Sequence, residues 1–337
     1  MQLNKQISPI LALFSLIILF GIHSCKKLLD PNDPGNLVLK TVDQDPSLPA
    51  IFVNNAHFHS EAFGNPDSSM VVLLHGGPGG DYRYLLKAKQ LVNDGYYVVF
   101  FDQRGAGLSE RFDASIFSIQ IVLDDLNAII DYYRTSSQQK VFLIGHSWGA
   151  MYATAFVNTY PNVIDGIVLA EPGGFTSKQT LDYIKRAQNG ELFDENTSDT
   201  FFYEQLLTGD ENDHQILDYR FMLRSNFDNN TEENIIGNPP GAIEPEWRNG
   251  AVTNIVFQKI SANEGFDWTT NLGQFNKPVL FIYSENNKAY GTAHATLLSS
   301  SYPDIQLVQM PDCGHDMIYF QWEEFYPLAL NYLNSLN

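Results

Sequence analysis

The sequence feature that most constrains this chain is the pentapeptide Gly145-His-Ser-Trp-Gly149, which lies between two stretches of different pattern. The apolar residues 141–144 before it are typical of a buried strand, and residues 150–157 after it are typical of a helix. A Gly-x-Ser-x-Gly sequence between a strand and a helix forms a nucleophile elbow, in which the glycines allow close backbone approach. Ser147 is therefore the candidate nucleophile.

Apolar runs with the composition of buried strands recur on both sides of the pentapeptide and alternate with helical patterns. This alternation favours an α/β fold with a mostly parallel central sheet and helices on both faces. Residues 50–63 instead predict an antiparallel hairpin, on which His57 and His59 are expected at the surface. The runs interpreted as parallel strands are 70–74, 97–101, 141–144, 164–170, 278–283 and 305–309.

The pattern changes between residues 176 and 276, where helical stretches alternate with acidic, asparagine-rich connections. We interpret this region as a helical cap inserted into a core formed by residues 48–175 and 277–337. Eight acidic residues fall close together in the cap: Glu191, Asp194, Glu195, Asp199, Glu204, Asp210, Glu211 and Asp213.

The amino-terminal region has the pattern of an export signal. Residues 10–22 form an apolar run of 13 residues, whereas a membrane-spanning helix needs about 18 or more. Ser24 and Cys25 follow, and this arrangement resembles a bacterial lipoprotein signal. The resemblance implies that residues 1–24 are removed, that Cys25 is lipidated, and that residues 25–47 are a flexible linker. The protein would then be anchored in the cell envelope of a bacterium, facing the periplasm or the cell surface.

Composition excludes several other functions. The 337 residues carry a formal net charge of −19 without a basic patch, so nucleic acid is not an expected partner. Cys25 and Cys313 are the only cysteines, and lipidation of Cys25 would leave no disulfide. The sequence has neither metal-ligand spacing nor a dinucleotide-binding fingerprint, so no metal and no cofactor are expected.

Four ordered motifs resemble the α/β-hydrolase superfamily, and within it the proline iminopeptidase-like branch of serine peptidases and hydrolases. They are His75-Gly-Gly-Pro-Gly79, Asp102-Gln-Arg-Gly-x-Gly-x-Ser109, Gly145-His-Ser-Trp-Gly149 and Cys313-Gly-His315. The resemblance implies a Ser-His-acid triad that acts through an acyl-enzyme.

His315 is the candidate base, because it follows the last predicted strand, as the chain order Ser, acid, His requires. The tetrahedral intermediate needs two backbone N–H donors. Trp148, directly after the nucleophile, would supply one of them. By resemblance, Gly77 would supply the other.

The acid is where this sequence departs from the family pattern. After residues 278–283 the resemblance leads us to expect a Gly-x-x-Asp turn, but the chain reads Ser284-Glu-Asn-Asn287, with Asn287 in the place of the aspartate. Three interpretations remain open: Glu171 is the acid, as in haloalkane dehalogenases, which resemble this segment; Glu285 is the acid; or the site lacks an acid and is weak or inactive. We favour Glu171, because geometry and not chain position defines a triad.

The resemblance suggests an aminopeptidase that releases N-terminal proline or another residue from short peptides. The acidic residues of the cap would hold the peptide amine, although such a run is also typical of a solvated face. The alternatives are an esterase of small acyl esters and a catalytically inactive, lipid-anchored binding protein that keeps the hydrolase fold.

Overall fold

A computed structural model describes residues 30–187, 212–228, 235–241, 243–263 and 265–337. The signal segment 1–24, the lipidation candidate Cys25 and all of the eight acidic cap residues except Asp213 lie outside these ranges. Among the helices in the described ranges, none combines the length and the apolar character that crossing a membrane would require.

Eight strands in the described part of the chain form one sheet, in the order β1-β2-β4-β3-β5-β6-β7-β8. Strand β2 pairs antiparallel with β1 and β4, and the remaining neighbours are parallel, which confirms the predicted fold class. The strands are β1 Ala50–Val53, β2 Ala56–Phe63, β3 Met70–Leu74, β4 Tyr97–Phe101, β5 Val141–His146, β6 Gly166–Ala170, β7 Val279–Ser284 and β8 Ile305–Met310.

The described α-helices are α1 Ile119–Tyr133, α2 Trp148–Thr159, α3 Ser177–Ala187, α4 His214–Asp228, α5 Ala251–Asn263, α6 Gly291–Ser299, α7 Met317–Phe320 and α8 Trp322–Leu336. Three segments are 3₁₀-helical: Arg83–Asp94, Ala114–Ile116 and Leu272–Gln274. Helices α3, α4 and α5 belong to the chain between β6 and β7, where we predicted the cap. The cap boundaries themselves stay a prediction.

The sheet is buried on both faces. In β3, Val72 and Leu74 lie in one apolar cluster, together with residues of α1 and α2. Val71 and Leu73 lie in the other cluster, together with residues of α8 and of the 3₁₀ helix Arg83–Asp94. Successive side chains of a strand point to opposite faces, so a continuous apolar run such as β3 is stable only when both faces are covered.

The hairpin differs from the sequence-based expectation at His59. Its neighbour His57 has 47% of its side chain exposed, whereas His59 is only 3% exposed and its Nδ1 lies 2.7 Å from a carboxylate oxygen of Asp102. The surface prediction was therefore wrong for His59. The reason is that β2 leaves β1 at this point and pairs with β4 from Ser60 onward, which the alternating pattern does not reveal.

The segment of residues 30–47 contains no helix or strand, as its proline and glycine content predicts. It nevertheless packs on the core, which differs from the flexible linker that we expected. Val38 and Val42 are buried, and the Val42 N–H donates to the carbonyl of Leu108 at 2.8 Å. The Arg248 guanidinium also donates to the Leu39 carbonyl at 2.6 Å.

Candidate active site

Ser147 is the single residue between the end of β5 and the start of α2. It is half-buried, and its backbone has φ 54° and ψ −118°, which is a strained conformation for a residue with a side chain. A Cβ at Gly145 would collide with the carbonyl of Gly149, and one at Gly149 would collide with the carbonyl of Leu74. The two flanking glycines are therefore required by close backbone packing.

The register of the parallel strands brings the residues after β5, β6 and β7 to one edge. His146 is paired with Ala170, and Ala170 with Ile282. The Ser147 N–H donates to Ala170 at 2.8 Å, and the Glu171 N–H donates to Ile282 at 3.0 Å. The carboxyl edge of the sheet therefore carries Ser147 and Glu171 side by side, where open α/β sheets bind ligands.

His315 follows β8 and contacts Glu171. Its Nδ1 lies 2.6 Å from Oε2 of Glu171, and the carboxylate is fully buried. Burial by itself would lower the pKa of His315, but the hydrogen bond and the negative charge of Glu171 outweigh this effect and raise the pKa. Because the carboxylate accepts from Nδ1, Nε2 is the nitrogen that is available as a base.

The Glu171 carboxylate also accepts hydrogen bonds from β7 and the turn that follows it. The Ser284 N–H donates at 2.8 Å, the Ser284 hydroxyl donates to the same oxygen, and Asn287 Nδ2 donates at 3.0 Å. Burial by itself would raise the pKa of Glu171, but the interactions with His315 and Ser284 outweigh it and hold the pKa below its usual value. Glu171 is therefore ionised at neutral pH despite complete burial.

Neither of the two alternative positions for the acid contacts His315 among the described residues. Glu285 is exposed, and its carboxylate accepts the N–H of Asp312 at 3.0 Å. Asn287 is fully buried and donates to Glu171. In the described part of the chain, neither side chain hydrogen-bonds to His315, which makes that contact with Glu171.

The loop that begins at His75 lies against the nucleophile. A Cβ built on Gly76 would stand 3.3 Å from Cβ of Ser147. Gly77 has φ 125°, and a Cβ there would lie 2.7 Å from the backbone nitrogens of Gly79 and Gly80, so only glycine fits. No acceptor among the described residues takes the N–H of Gly77 or of Trp148. Both predicted oxyanion donors are thus free to bind a substrate oxygen.

A hydrogen-bonded chain through Tyr84 and His146 connects the three loops of the site. The Gly76 N–H donates to the Tyr84 hydroxyl at 2.7 Å, and this hydroxyl lies 2.9 Å from Nδ1 of His146. His146 Nε2 lies 2.9 Å from the carbonyl of His315, and because a carbonyl can only accept, Nε2 carries the proton. Burial, followed by the nearby His315, lowers the pKa of His146 to about 4, so it is neutral.

Buried polar contacts also stabilise the loop that begins at His75. Asp102 accepts the N–H of Tyr82 at 2.9 Å and contacts His59. Nε2 of His75 accepts the N–H of Gln103 at 3.0 Å, and burial lowers the pKa of His75. These contacts hold the loop in place.

Four carboxylates near this edge form a second group, which we call the acid cluster: Asp81, Glu244, Glu246 and Asp316. Burial, followed by the charges of Asp102 and Glu246, raises the pKa of Asp81 to about 8. Burial and then Asp316, Glu246 and Asp81 raise the pKa of Glu244 well above its usual value. Oε1 of Glu244 is buried and has no hydrogen-bond partner among the described residues. A cationic group would satisfy this oxygen.

His146, His315 and Asp316 bring possible metal-ligand atoms within 4.8 Å of one another. Both nitrogens of His146 are already hydrogen-bonded, and Nδ1 of His315 is bonded to Glu171. Only Nε2 of His315 and the Asp316 carboxylate remain, and one oxygen of Asp316 accepts from Asn238. These three residues therefore do not fit a zinc site, which takes at least three protein ligands.

Comparison with known proteins links the chain to hydrolases. A family model described as serine aminopeptidase, S33, matches residues 65–193. The AB hydrolase superfamily protein YfhM of Bacillus subtilis is 32% identical over 116 residues, which cover 34% of this chain and 40% of that protein. A proline iminopeptidase of Saccharolobus solfataricus is 35% identical over 101 residues, which cover 30% of this chain and 32% of that protein. The match thus spans two fifths or less of these relatives.

The crystal structure of a proline iminopeptidase from Mycobacterium smegmatis superposes with a TM-score of 0.57 and 16% sequence identity, over 85% of this chain and 97% of that one. This likeness covers far more of the chain than the segment that the family model matches. The sheet order, the elbow at Ser147 and these similarities all indicate the same fold. The chain therefore has the fold of the α/β-hydrolase superfamily, and proline iminopeptidases are among its relatives.

Proposed function

We propose that the protein is a serine hydrolase with Ser147 as nucleophile, His315 as base and Glu171 as acid. The observation that carries this proposal is the 2.6 Å contact between His315 Nδ1 and the buried, ionised Glu171, at the sheet edge that also holds the elbow. A serine hydroxyl becomes an effective nucleophile only when a base takes its proton. Glu171 keeps the proton of His315 on Nδ1 and stabilises the imidazolium that forms.

The reaction would follow the two steps of acyl transfer. Ser147 Oγ attacks the acyl carbon while His315 Nε2 takes its proton, and the N–H groups of Gly77 and Trp148 bind the developing oxyanion. Collapse of the intermediate expels the leaving group, which receives the proton from His315, and leaves an acyl-enzyme. Water, deprotonated by His315, then releases the acid and regenerates Ser147.

The substrate that the charges favour is a short peptide with a free amino terminus, including one that begins with proline. Two acids of the cluster, Glu244 and Glu246, belong to the chain between β6 and β7, and Asp316 directly follows His315. The unpartnered, buried Oε1 of Glu244 would gain a charge-assisted hydrogen bond from a protonated amine. An uncharged acyl ester offers no such partner.

Labelling with a fluorophosphonate tests the hydrolase proposal. We expect stoichiometric modification of the wild type, complete loss of modification in Ser147→Ala, and no loss in Ser300→Ala, which removes an exposed hydroxyl. An unlabelled wild type would instead support a binding protein that keeps the fold without catalysis.

A substrate pair tests the specificity. Prolyl p-nitroanilide carries a charged amine that its N-acetylated form lacks, and p-nitrophenyl acetate reports the acyl-transfer chemistry alone. We expect cleavage of the free-amine anilide and little or none of the acetylated form. Hydrolysis of the ester without cleavage of any free-amine substrate would favour the esterase alternative.

We further propose that the protein is a lipoprotein of a bacterial envelope, anchored through Cys25. The proposal is based on the apolar run 10–22 and the cysteine that follows it. Radiolabelled palmitate should be incorporated into the wild type and not into Cys25→Ser. Equal incorporation into the two proteins, or none into either, would contradict it.

A further inference from the structure

We propose that Asn287 is a positioning residue for the acid, and that Glu171 and Asn287 act as a matched pair of one carboxylate and one amide. The inference rests on the proposed function, because it explains how the triad operates with an amide where the related enzymes are expected to have an aspartate. On this view Asn287 is not the remnant of a lost acid. It is the neutral donor that the site needs once the charge resides on Glu171.

The hydrogen bonds of Asn287 define the orientation of its amide. Its oxygen accepts the N–H of Ala289 at 3.1 Å and that of Tyr290 at 3.2 Å. Because backbone N–H groups only donate, the other amide atom must be the nitrogen. This nitrogen donates to Oε2 of Glu171 at 3.0 Å and to the hydroxyl of Tyr183 at 3.3 Å. A fully buried amide thus satisfies its donors and acceptors.

An aspartate at position 287 would change this balance. A carboxylate oxygen would then stand 3.0 Å from Oε2 of Glu171, where the amide nitrogen now lies. Two carboxylates at this distance cannot both ionise, so the pair would share a proton and titrate as a unit. The amide instead donates at every pH. The amide therefore leaves the full negative charge on Glu171. The hydrogen bonds from Ser284 orient this carboxylate toward His315.

The amide also connects the acid to the chain segment that we predicted as cap. Tyr183 lies on α3, stacks on His294 with a centroid distance of 5.6 Å and meets the ring of Tyr290 edge-on at 5.3 Å. Its ring centroid lies 6.4 Å from that of His315. Glu171 is fully buried, and the hydroxyl of Tyr183 accepts the second N–H of Asn287.

Exchange of the two residues tests the pairing. Glu171→Gln should lower kcat by about 10⁴-fold, since it removes the charge that stabilises the imidazolium. Adding Asn287→Asp to that variant returns a carboxylate to the pair, with the amide now at position 171. We expect the double variant to regain at least about tenfold in kcat over Glu171→Gln, which corresponds to about 1.4 kcal/mol of coupling.

The matched control is the double variant Glu171→Gln with Asn286→Asp, which adds the same charge at the exposed neighbouring residue. It should regain nothing. Recovery that is equal in the two double variants would mean that added charge acts at a distance, and it would overturn the inference. Absence of recovery in both, with thermal melts that match the wild type, would overturn it as well.

A single variant keeps the test decisive if an exchanged pair does not fold. Asn287→Ala removes the donor without adding charge, and we expect kcat to fall about tenfold while KM stays within about twofold, because only the acid is affected. An unchanged kcat would refute the role. The failure of the proposed function looks different: a wild type that a fluorophosphonate does not label overturns both proposals, whereas normal labelling with no effect at position 287 overturns only this one.

Discussion

The Glu171 carboxylate and Oε1 of Glu244 are both buried, yet the pKa values of these two acids shift in opposite directions. Glu171 accepts hydrogen bonds from Ser284, Asn287 and His315, and its pKa is lowered. Oε1 of Glu244 has no partner in the described part of the chain, and burial with neighbouring negative charge raises its pKa. Burial disfavours charge at both sites, so the opposite shifts come from the hydrogen-bond donors and the His315 charge around Glu171, and from the neighbouring carboxylates around Glu244.

In the proposed site, this comparison separates two functions of carboxylates: stabilising a positive charge during the reaction, and binding a cationic group of the substrate. A carboxylate surrounded by donors is already organised to stabilise a positive charge on His315 during the reaction. A carboxylate with an unpartnered oxygen can still accept a hydrogen bond from a cationic group. Under the proposed function the first would serve catalysis and the second recognition, and substitutions should affect different kinetic constants.

The largest expected effect is that of Glu171→Gln, which should reduce kcat by about 10⁴-fold. It should also move the acid limb of the pH profile. In the wild type the raised pKa of His315 places this limb at a higher pH than that of an ordinary histidine. Without the Glu171 charge, burial lowers that pKa and the limb moves to lower pH. The pH dependence of kcat/KM on an activated ester measures both changes.

Glu285→Gln is the matched control for that experiment, because Glu285 is exposed and contacts Asp312 instead of His315. It should retain nearly full activity with an unchanged profile. If Glu285→Gln were the more damaging of the two variants, the assignment of the acid to Glu171 would be wrong.

A smaller and selective effect is expected for Glu244→Gln. The loss of a charge-assisted hydrogen bond to the substrate amine should raise KM for a free-amine anilide by about tenfold or more. Hydrolysis of p-nitrophenyl acetate should stay within about twofold, since that ester has no amine. An equal loss on both substrates would show that Glu244 supports the site structure and does not recognise amines.

The smallest effect concerns stability. Because the folded-state pKa of Asp81 is raised to about 8, its contribution to stability is complete below the unfolded value of about 4 and is lost as pH rises through about 8. Glu171 behaves in the opposite way: its contribution is present above about 4.3 and is lost as pH falls through its lowered pKa. Asp81→Asn should therefore flatten the decline of Tm between pH 5 and about 9, where each kcal/mol shifts Tm by about 2–4 °C.

Thermal melts of the wild type and Asp81→Asn across that pH range measure the difference. Asp213→Asn is a suitable control, because Asp213 is exposed. Parallel Tm curves for the wild type and Asp81→Asn would indicate that Asp81 is ionised in the folded protein over the whole range.

The sequence allowed most of the fold to be predicted, because its signals are local. The run 70–74 is apolar on both faces and becomes β3, and the pentapeptide after β5 forms the elbow. Tyr84 was missed, since nothing near it in sequence indicates that its hydroxyl joins Gly76 to His146. Glu244 was missed for a similar reason: the acidic run predicted to hold an amine lies earlier in the chain, at residues 191–213.

The sequence by itself determined where the candidate nucleophile is, since the elbow needs only small residues at fixed spacing between a strand and a helix. For the partner of His315 it led us to favour Glu171, but it left Glu285 and Asn287 open. That contact joins residues 144 positions apart and depends on the register of β6 against β7 and on the loop after β8. Only the tertiary structure shows which side chain contacts His315, because long-range packing brings those three strand ends together.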